Sequence, residues 1–301
     1  MTGMVSLEVT MFFLILVGFA VKKFRLVGEQ GKAVITDLVV NLVLPCNIIK
    51  SFMIEFNMQT LRSFAVILLI SLILQAGCVL MGRLLYGKDK SGRSKCLQFG
   101  IICSNAGFLG NPIAEEAFGS MGLALASIYL IPQRIVMWSA GISVFSDGVN
   151  KKQILKQTLT HPCIIACEIG LVIMLGQISL PQVLTDLITD ISGCNTVLSM
   201  MVIGMILSDI NAKKIWDADI FKYTVIRLLI IPFLVYVPCR LLELPDLVTG
   251  VSVMLAGMPA GATTSILALK YHADEEFGTN LVIFSTVCSI VTIPLWGFIL
   301  G

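Results

Sequence analysis

Charge is scarce in this chain of 301 residues. Asp, Glu, Lys and Arg make up 13% of it, where an ordinary soluble domain carries about 25%. Apolar residues make up 56%. A water-soluble fold cannot cover that much apolar side chain, because its surface needs polar groups. The shortage of charge therefore excludes the soluble classes and points to a bilayer as solvent. Long polar stretches are missing too. The longest run over 86–95 and 147–160, and neither is long enough to fold alone. Histidine is down to two residues, His161 and His272, both at segment ends. Two such residues cannot make a metal site by themselves. The nine cysteines lie mostly in apolar segments and form no Cys-x-x-Cys pair. Cys163 and Cys167 stand one helical turn apart, as buried free thiols would.

Catalytic motifs are absent as well. There is no His-Glu-x-x-His, no Asp-rich prenyl-diphosphate motif, no Gly-x-Ser-x-Gly and no phosphate loop. An enzyme is not expected, nor is a metal or other cofactor, nor ATP-driven transport by this chain alone. No nucleic-acid partner is expected. The first apolar stretch has no basic residue ahead of it, and Lys22, Lys23 and Arg25 follow it. That pattern reads as a first membrane span entering from outside, not as a cleaved signal.

What the chain does have is apolar segments of spanning length, roughly 20 residues each. Ten are expected, over 5–21, 33–53, 61–85, 95–118, 121–146, 161–179, 183–208, 220–242, 247–270 and 277–300. Asp186 and Asp190 weaken the seventh. Lys and Arg cluster in alternate gaps: Lys22, Lys23, Arg25 and Lys32 after the first span, Arg83 to Lys95 after the third, Lys151, Lys152 and Lys156 after the fifth, Lys213, Lys214 and Lys222 after the seventh, and Lys270 after the ninth. The opposite gaps hold only Lys50, Arg62 and Arg240. Positive charge marks the cytoplasmic side, so both termini are expected on the extracytoplasmic side of the cell membrane.

The fold class expected is all-α integral membrane, with ten transmembrane helices as two five-helix repeats. Residues 1–146 form the first repeat, 147–160 a short cytoplasmic connecting loop, and 161–301 the second repeat. An odd number of spans per half inverts the second repeat relative to the first. Helices 4 and 9 are expected to be broken and to cross. Helix 4 contains Asn105-Ala-Gly-Phe-Leu-Gly-Asn-Pro112, and helix 9 contains Gly257-Met-Pro-Ala-Gly-Ala262. Pro112 with Gly107 and Gly110 should break the first, and Gly257, Pro259 and Gly261 the second, ahead of Thr263 and Thr264. Paired interruptions in two halves point to a transporter site. The N-terminal ends of the second half-helices carry partial positive charge and suit an anion. Pro45 in Asn41-Leu-Val-Leu-Pro45 reads as a scaffold kink.

Ionisable residues inside spans are costly and need a reason. Arg134, beside Gln133, has the geometry to grip a substrate carboxylate; the alternative is an internal partner among Asp37, Glu115 and Glu168. These three carboxylates are also the candidates for ion or proton coupling, with Glu115 alternatively just solvated in a vestibule. Arg227 is expected to snorkel from a helix end.

The stretch Ser104-Asn-Ala-Gly-Phe-Leu-Gly-Asn-Pro-Ile113 with Phe118-Gly119 resembles the auxin efflux carrier family, as do Asn41 to Pro45 and Met258-Pro-Ala-Gly-Ala262. That family includes plant auxin exporters and bacterial carriers of malate, malonate and similar organic anions. The short central loop is similar to that of a prokaryotic member. The resemblance implies an elevator-type carrier, usually a homodimer, with helices 1, 2, 6 and 7 as scaffold and helices 3–5 and 8–10 moving. It implies a small organic anion as substrate, held at the crossing of helices 4 and 9 by Asn105 and the backbone around Pro112 and Pro259. Gln133 and Arg134 depart from the family pattern and leave the substrate class open, a dicarboxylate included. The alternatives are a carrier of an aromatic or amphipathic acid, a channel, a receptor without transport, and an intramembrane enzyme.

Overall fold

The computed structural model describes residues 2–54, 57–145, 159–208 and 217–301. Among these residues all regular structure is helical: α1 (Thr2–Lys23), α2 (Glu29–Ser51), α3 (Met58–Tyr86), α4 (Gly92–Ile102), α5 (Ala106–Val136), α6 (Pro162–Gly176), α7 (Gln182–Leu207), α8 (Ala218–Leu241), α9 (Asp246–Ala256), α10 (Thr263–Lys270) and α11 (Glu275–Leu300). A further winding over Met137–Gly141 and Ile142–Phe145 continues α5. α2, α3, α5, α7, α8 and α11 are long and apolar enough to cross a membrane, and α6 and α9 are shorter apolar helices. The chain is thus a multi-pass, all-helical membrane protein. The expected connecting loop over 147–160 lies outside the described residues apart from Leu159 and Thr160, as do Lys151, Lys152, Lys156, Lys213 and Lys214.

Side chains fix where the helices begin. Ser91 caps α4 by accepting from the Ser94 N–H, and Asp274 caps α11 by accepting from Phe277 N–H at 3.0 Å. Each satisfies one of the N–H groups that a first turn leaves without a partner. Inside α2 the backbone widens to a π-turn over Val39–Val43, just ahead of Pro45. The wider turn makes room for a proline ring that cannot donate to the ladder. α5 is two helices laid end to end. They join at Gly119, whose φ of 67° and ψ of −163° suit only glycine.

The chain divides into two compact units. The first comprises Met1–Phe64, Asn111–Ile128 and Leu159–Asp209, and so holds α1, α2, α6, α7 and the N-terminal part of α5. Its helices meet through glycine. A Cβ on Gly18 would stand 2.0 Å from the Met201 carbonyl oxygen, and one on Gly204 would stand 2.0 Å from that of Ile15. α1 and α7 therefore touch backbone to backbone, the close packing that small residues permit in a membrane. Gly170 of α6 packs likewise against the Phe52 ring.

The second unit comprises Ala65–Gly110, Tyr129–Thr158 and Ile210–Gly301. Its outer face is apolar: Leu69, Leu72, Ile73, Leu80 and Leu84 of α3 are exposed. Its interior is where polar side chains collect, among them Gln75, Ser104, Asn105, Gln133, Arg134, Arg227 and Ser285. That distribution suits a lipid surround and a polar centre.

Candidate functional site

At the centre of the second unit, two helices stop and their free ends pair. α4 ends at Ile102, Cys103 is extended, and Asn105 turns into the π-turn Ala106–Gly110 that opens α5. α9 ends at Ala256, and the chain runs extended through Met258 to Ala260 before α10 starts at Thr263. Ser104 and Ala260 form an isolated antiparallel bridge. Asn105 N–H donates to the Pro259 carbonyl at 2.8 Å, and Gly261 N–H donates to the Cys103 carbonyl at 3.4 Å. The interruptions are thus locked together as a two-residue strand pair.

The break in α4 lies ahead of the residues expected to cause it. Pro112 stands in the first turn of the α-helical stretch beginning at Asn111, where a missing N–H costs little, and the π-turn precedes it. What stops α4 is the pairing of Ser104 and its neighbours with the other chain segment. The four site glycines do not supply left-handed backbone, since among the described glycines positive φ occurs only at Gly119 and Gly301. They supply space. A Cβ on Gly110 would stand 2.5 Å from Leu255 Cδ2, and one on Gly261 would stand 3.3 Å from the Ser104 carbonyl oxygen. A Cβ on Gly257 would meet Pro232 at 3.5 Å.

Broken helices expose carbonyls that must find donors when water is excluded. Here side chains from other helices supply them. Gln75 Nε2 donates to the Ile102 carbonyl at 2.7 Å. Gln133 Nε2 donates to the Ser104 carbonyl at 2.7 Å, and Ser104 Oγ donates back to Gln133 Oε1 at 3.3 Å. Ser285 Oγ accepts from the Ala260 N–H at 3.2 Å. Arg227 Nε donates to the Met258 carbonyl at 2.9 Å, and its Nη1 to that of Ile101 at 3.2 Å. Arg227 is 3% exposed. The snorkelling expected of it is overturned: the guanidinium turns inward because two helix ends need it.

Asn105 and Arg134 are placed differently. No hydrogen bond engages the Asn105 side-chain amide among the described residues, and the residue is 9% exposed. Arg134 is buried, and its Nη1 has no hydrogen-bond partner. Its Nη2 lies 3.7 Å from where a Cβ on Gly107 would stand, so the guanidinium is aimed at the start of α5. Among the described residues no carboxylate pairs with it. The Thr264 hydroxyl is buried without a partner in the first turn of α10, beside half-buried Thr263. Among the described residues of this unit, Asn105, Arg134 and Thr264 are the groups without partners that stand by the breaks, with Ser252 and Thr292 elsewhere, and a polar ligand would satisfy those by the breaks. Both ends of the Gln133 amide are already engaged by Ser104. A cavity of about 410 Å³ in this unit is lined by Arg83, Asp89, Lys90, Lys95 and Gln98, and reaches Ile102 at the edge of the break. Three cations against one carboxylate give it a field that draws in anions.

The remaining expected residues lie in the first unit. Pro112 is buried there. Glu115 is not merely solvated: Asn47 Nδ2 donates to its Oε2 at 2.9 Å, and Ser192 Oγ donates to Asn47 Oδ1 at 2.6 Å. Asp37 and Glu168 are exposed. No group of three or more His, Cys, Asp or Glu that would hold a metal is found among the described residues.

The sequence has relatives among known proteins. A family model described as membrane transport protein matches residues 4–157 and 147–297. An uncharacterized transporter of Methanothermobacter thermautotrophicus is 26% identical, over 99% of each chain. Another, of Methanocaldococcus jannaschii, is 25% identical, also over 99% of each. The uncharacterized transporter YfdV of Escherichia coli K12 is 21% identical over 95% of this chain and 94% of its own. These matches make the chain a transport protein and not an enzyme. It belongs to the membrane transport protein family of auxin efflux carriers, as a prokaryotic-type member.

Proposed function

We propose that the chain is a secondary carrier of small organic anions, malate and related carboxylates among them. The observation that carries this reading is the pair of joined helix interruptions with Asn105 and Arg134 unpartnered beside them. The anion would sit against Asn105, the start of α5 and the start of α10. Helix N-termini, a neutral amide and a guanidinium all favour a carboxylate. Gln133 would act by holding Ser104 in place. Gly107, Gly110, Gly257, Pro259, Gly261 and Thr263 would shape the backbone around the ligand.

The transport movement we propose is of the elevator type, by a homodimer in the cell membrane. Ten spans in two inverted repeats, 1–146 and 161–301, would put both termini outside. The distribution of Lys and Arg supports that orientation. Glu115, held by Asn47, is the carboxylate we assign to coupling ahead of Asp37 and Glu168, because it alone sits in a buried polar relay. Uptake of labelled malate into proteoliposomes tests the reading. Saturable uptake accelerated by internal malate is expected. Ion conductance without such acceleration would make it a channel. Folded protein that moves no organic acid, aromatic acids included, would end the organic-anion reading.

A further inference from the structure

We propose that Arg227 is a resident cation, fixed where other secondary carriers bind a coupling metal ion, and that it frees this crossover from any need for sodium. Arg227 sits in the π-turn Ile226–Ile230 of α8. Its Nε and Nη1 reach the Met258 and Ile101 carbonyls, at 2.9 and 3.2 Å. Ile101 is in the last turn of α4, and Met258 stands two residues past the end of α9. One carbonyl from each of these chain ends, Ile101 and Met258, points at the same guanidinium. A helix C-terminus carries roughly −0.5 of an elementary charge, so two of them make up about one negative charge. Unwound carbonyls and half-helix C-terminal ends are what coordinates sodium in carriers built on broken helices. Here one guanidinium spans both. Among the described residues no carboxylate pairs with it; beyond the two carbonyls its neighbour is the Cys78 sulfur, at 4.0 Å from Nη1. A guanidinium cannot lose its proton in a protein. The cation is therefore part of the chain itself, and the cation content of the medium does not alter it. Arg227 is a positioning residue: it holds the two interruptions in register and leaves Asn105 and Arg134 for the ligand.

The test reads thermal unfolding of purified protein in choline, sodium, lithium or dilute guanidinium chloride at equal ionic strength. The wild type is expected to unfold at the same temperature in all four. Arg227→Ala is expected to unfold several degrees lower in choline and to recover part of that loss in sodium, lithium or guanidinium, because a small cation now enters the vacated spot. Arg227→Lys keeps a charge and is expected to remain indifferent to the medium. A purely structural arginine predicts no cation response in the alanine variant, and that result overturns the proposal. So does a wild type that sodium stabilises. If the alanine variant cannot be purified, the lysine variant decides: indifference to sodium upholds the proposal, and dependence on it overturns it. The transport arm rests on the carrier reading, and there wild-type malate uptake should be equal in sodium and choline. Unfolding needs no transport, so absent uptake would end the organic-anion reading while the cation result still decides this one.

Discussion

The interruption after α4 carries Ser104 and Asn105, with Gln133 and Arg134 next to it, whereas the one after α9 reads Gly, Met, Pro, Ala, Gly, Ala and has no polar side chain of its own. Both must satisfy exposed backbone groups in an apolar interior. The first takes Gln75, Gln133 and Arg227 for the Ile102, Ser104 and Ile101 carbonyls and has Asn105 to spare. The second borrows too, taking Arg227 from α8 for the Met258 carbonyl and Ser285 from α11 for the Ala260 N–H. The difference teaches a division of labour: the first interruption supplies the chemistry of recognition, the second supplies backbone and shape. Substitutions near the first should change what is bound, and substitutions around the second should change how well the unit holds together.

The largest effect expected is at the seam between the two. In Gly110→Val the added carbon falls 2.5 Å from Leu255 Cδ2 and 3.2 Å from Met258 Cγ. Overpacking of this kind costs about 1–3 kcal/mol, so a lowered unfolding temperature is expected together with lost transport. An unchanged unfolding temperature would mean that the α9 end is free to shift, and the seam is not rigid.

Next comes Arg134→Met, which separates recognition from stability. The wild-type Nη1 is buried without a partner, so removing it should leave the fold as stable or more so. Hydrogen bonds to charged groups are worth about 1.5–3 kcal/mol, and malate binding should weaken roughly tenfold or more. A less stable variant with intact malate affinity would assign Arg134 to the scaffold.

Ser285→Ala should do the reverse. It leaves the Ala260 N–H without its acceptor, at a cost of about 1–3 kcal/mol, and lowers the unfolding temperature. The ranking of competing acids should not change, and a changed ranking would break the division of labour.

The smallest effect is expected at the end of the unit remote from the breaks. Arg93 pairs with Asp217, the cap of α8. Partial burial pushes the Asp217 carboxyl up, but the Asp219 N–H and Arg93 outweigh that and hold it below the usual carboxylate range. A depressed value means that the pair stabilises at neutral pH and that this contribution is lost as pH falls through the folded-state value. Asp217→Asn should flatten the acid limb of the unfolding temperature only slightly, because exposed pairs contribute little.

Much of the helical pattern was legible in the sequence because apolar runs of spanning length leave few options. The stretch expected over 61–85 is helical from Met58 to Tyr86, and that expected over 277–300 is helical from Glu275 to Leu300. Gly and Pro pointed to the interruptions, and Asn105 stands at the first of them as expected, but the helix stops ahead of Gly107, Gly110 and Pro112. Pro112 is tolerated in a first turn, and the stop at Cys103 depends on a partner 150-odd residues away in the chain, since Cys103 accepts from Gly261. Arg227 departs from the expected snorkelling for the same reason. Its place near a helix end suggests solvent, and only the position of two distant carbonyls turns it inward. The signal that would have found it is the inventory of strong donors inside apolar spans. Gln75, Gln133 and Arg227 are such donors, Ser285 is an acceptor for the Ala260 N–H, and every one of them engages the paired breaks. Glu115 was legible as an ionisable residue, but not its tether to Asn47, which depends on how α2 packs within its own unit.

The central claim is that the organic anion sits at the first interruption. Malate binding to purified protein by titration calorimetry, for wild type and Asn105→Ala, tests it most directly. The Asn105 amide has no partner among the described residues, so its removal should leave the unfolding temperature unchanged and weaken malate about tenfold or more, the value of a buried hydrogen bond and its desolvation. Equal affinity in the two proteins, both folded, would contradict the account and place the ligand elsewhere.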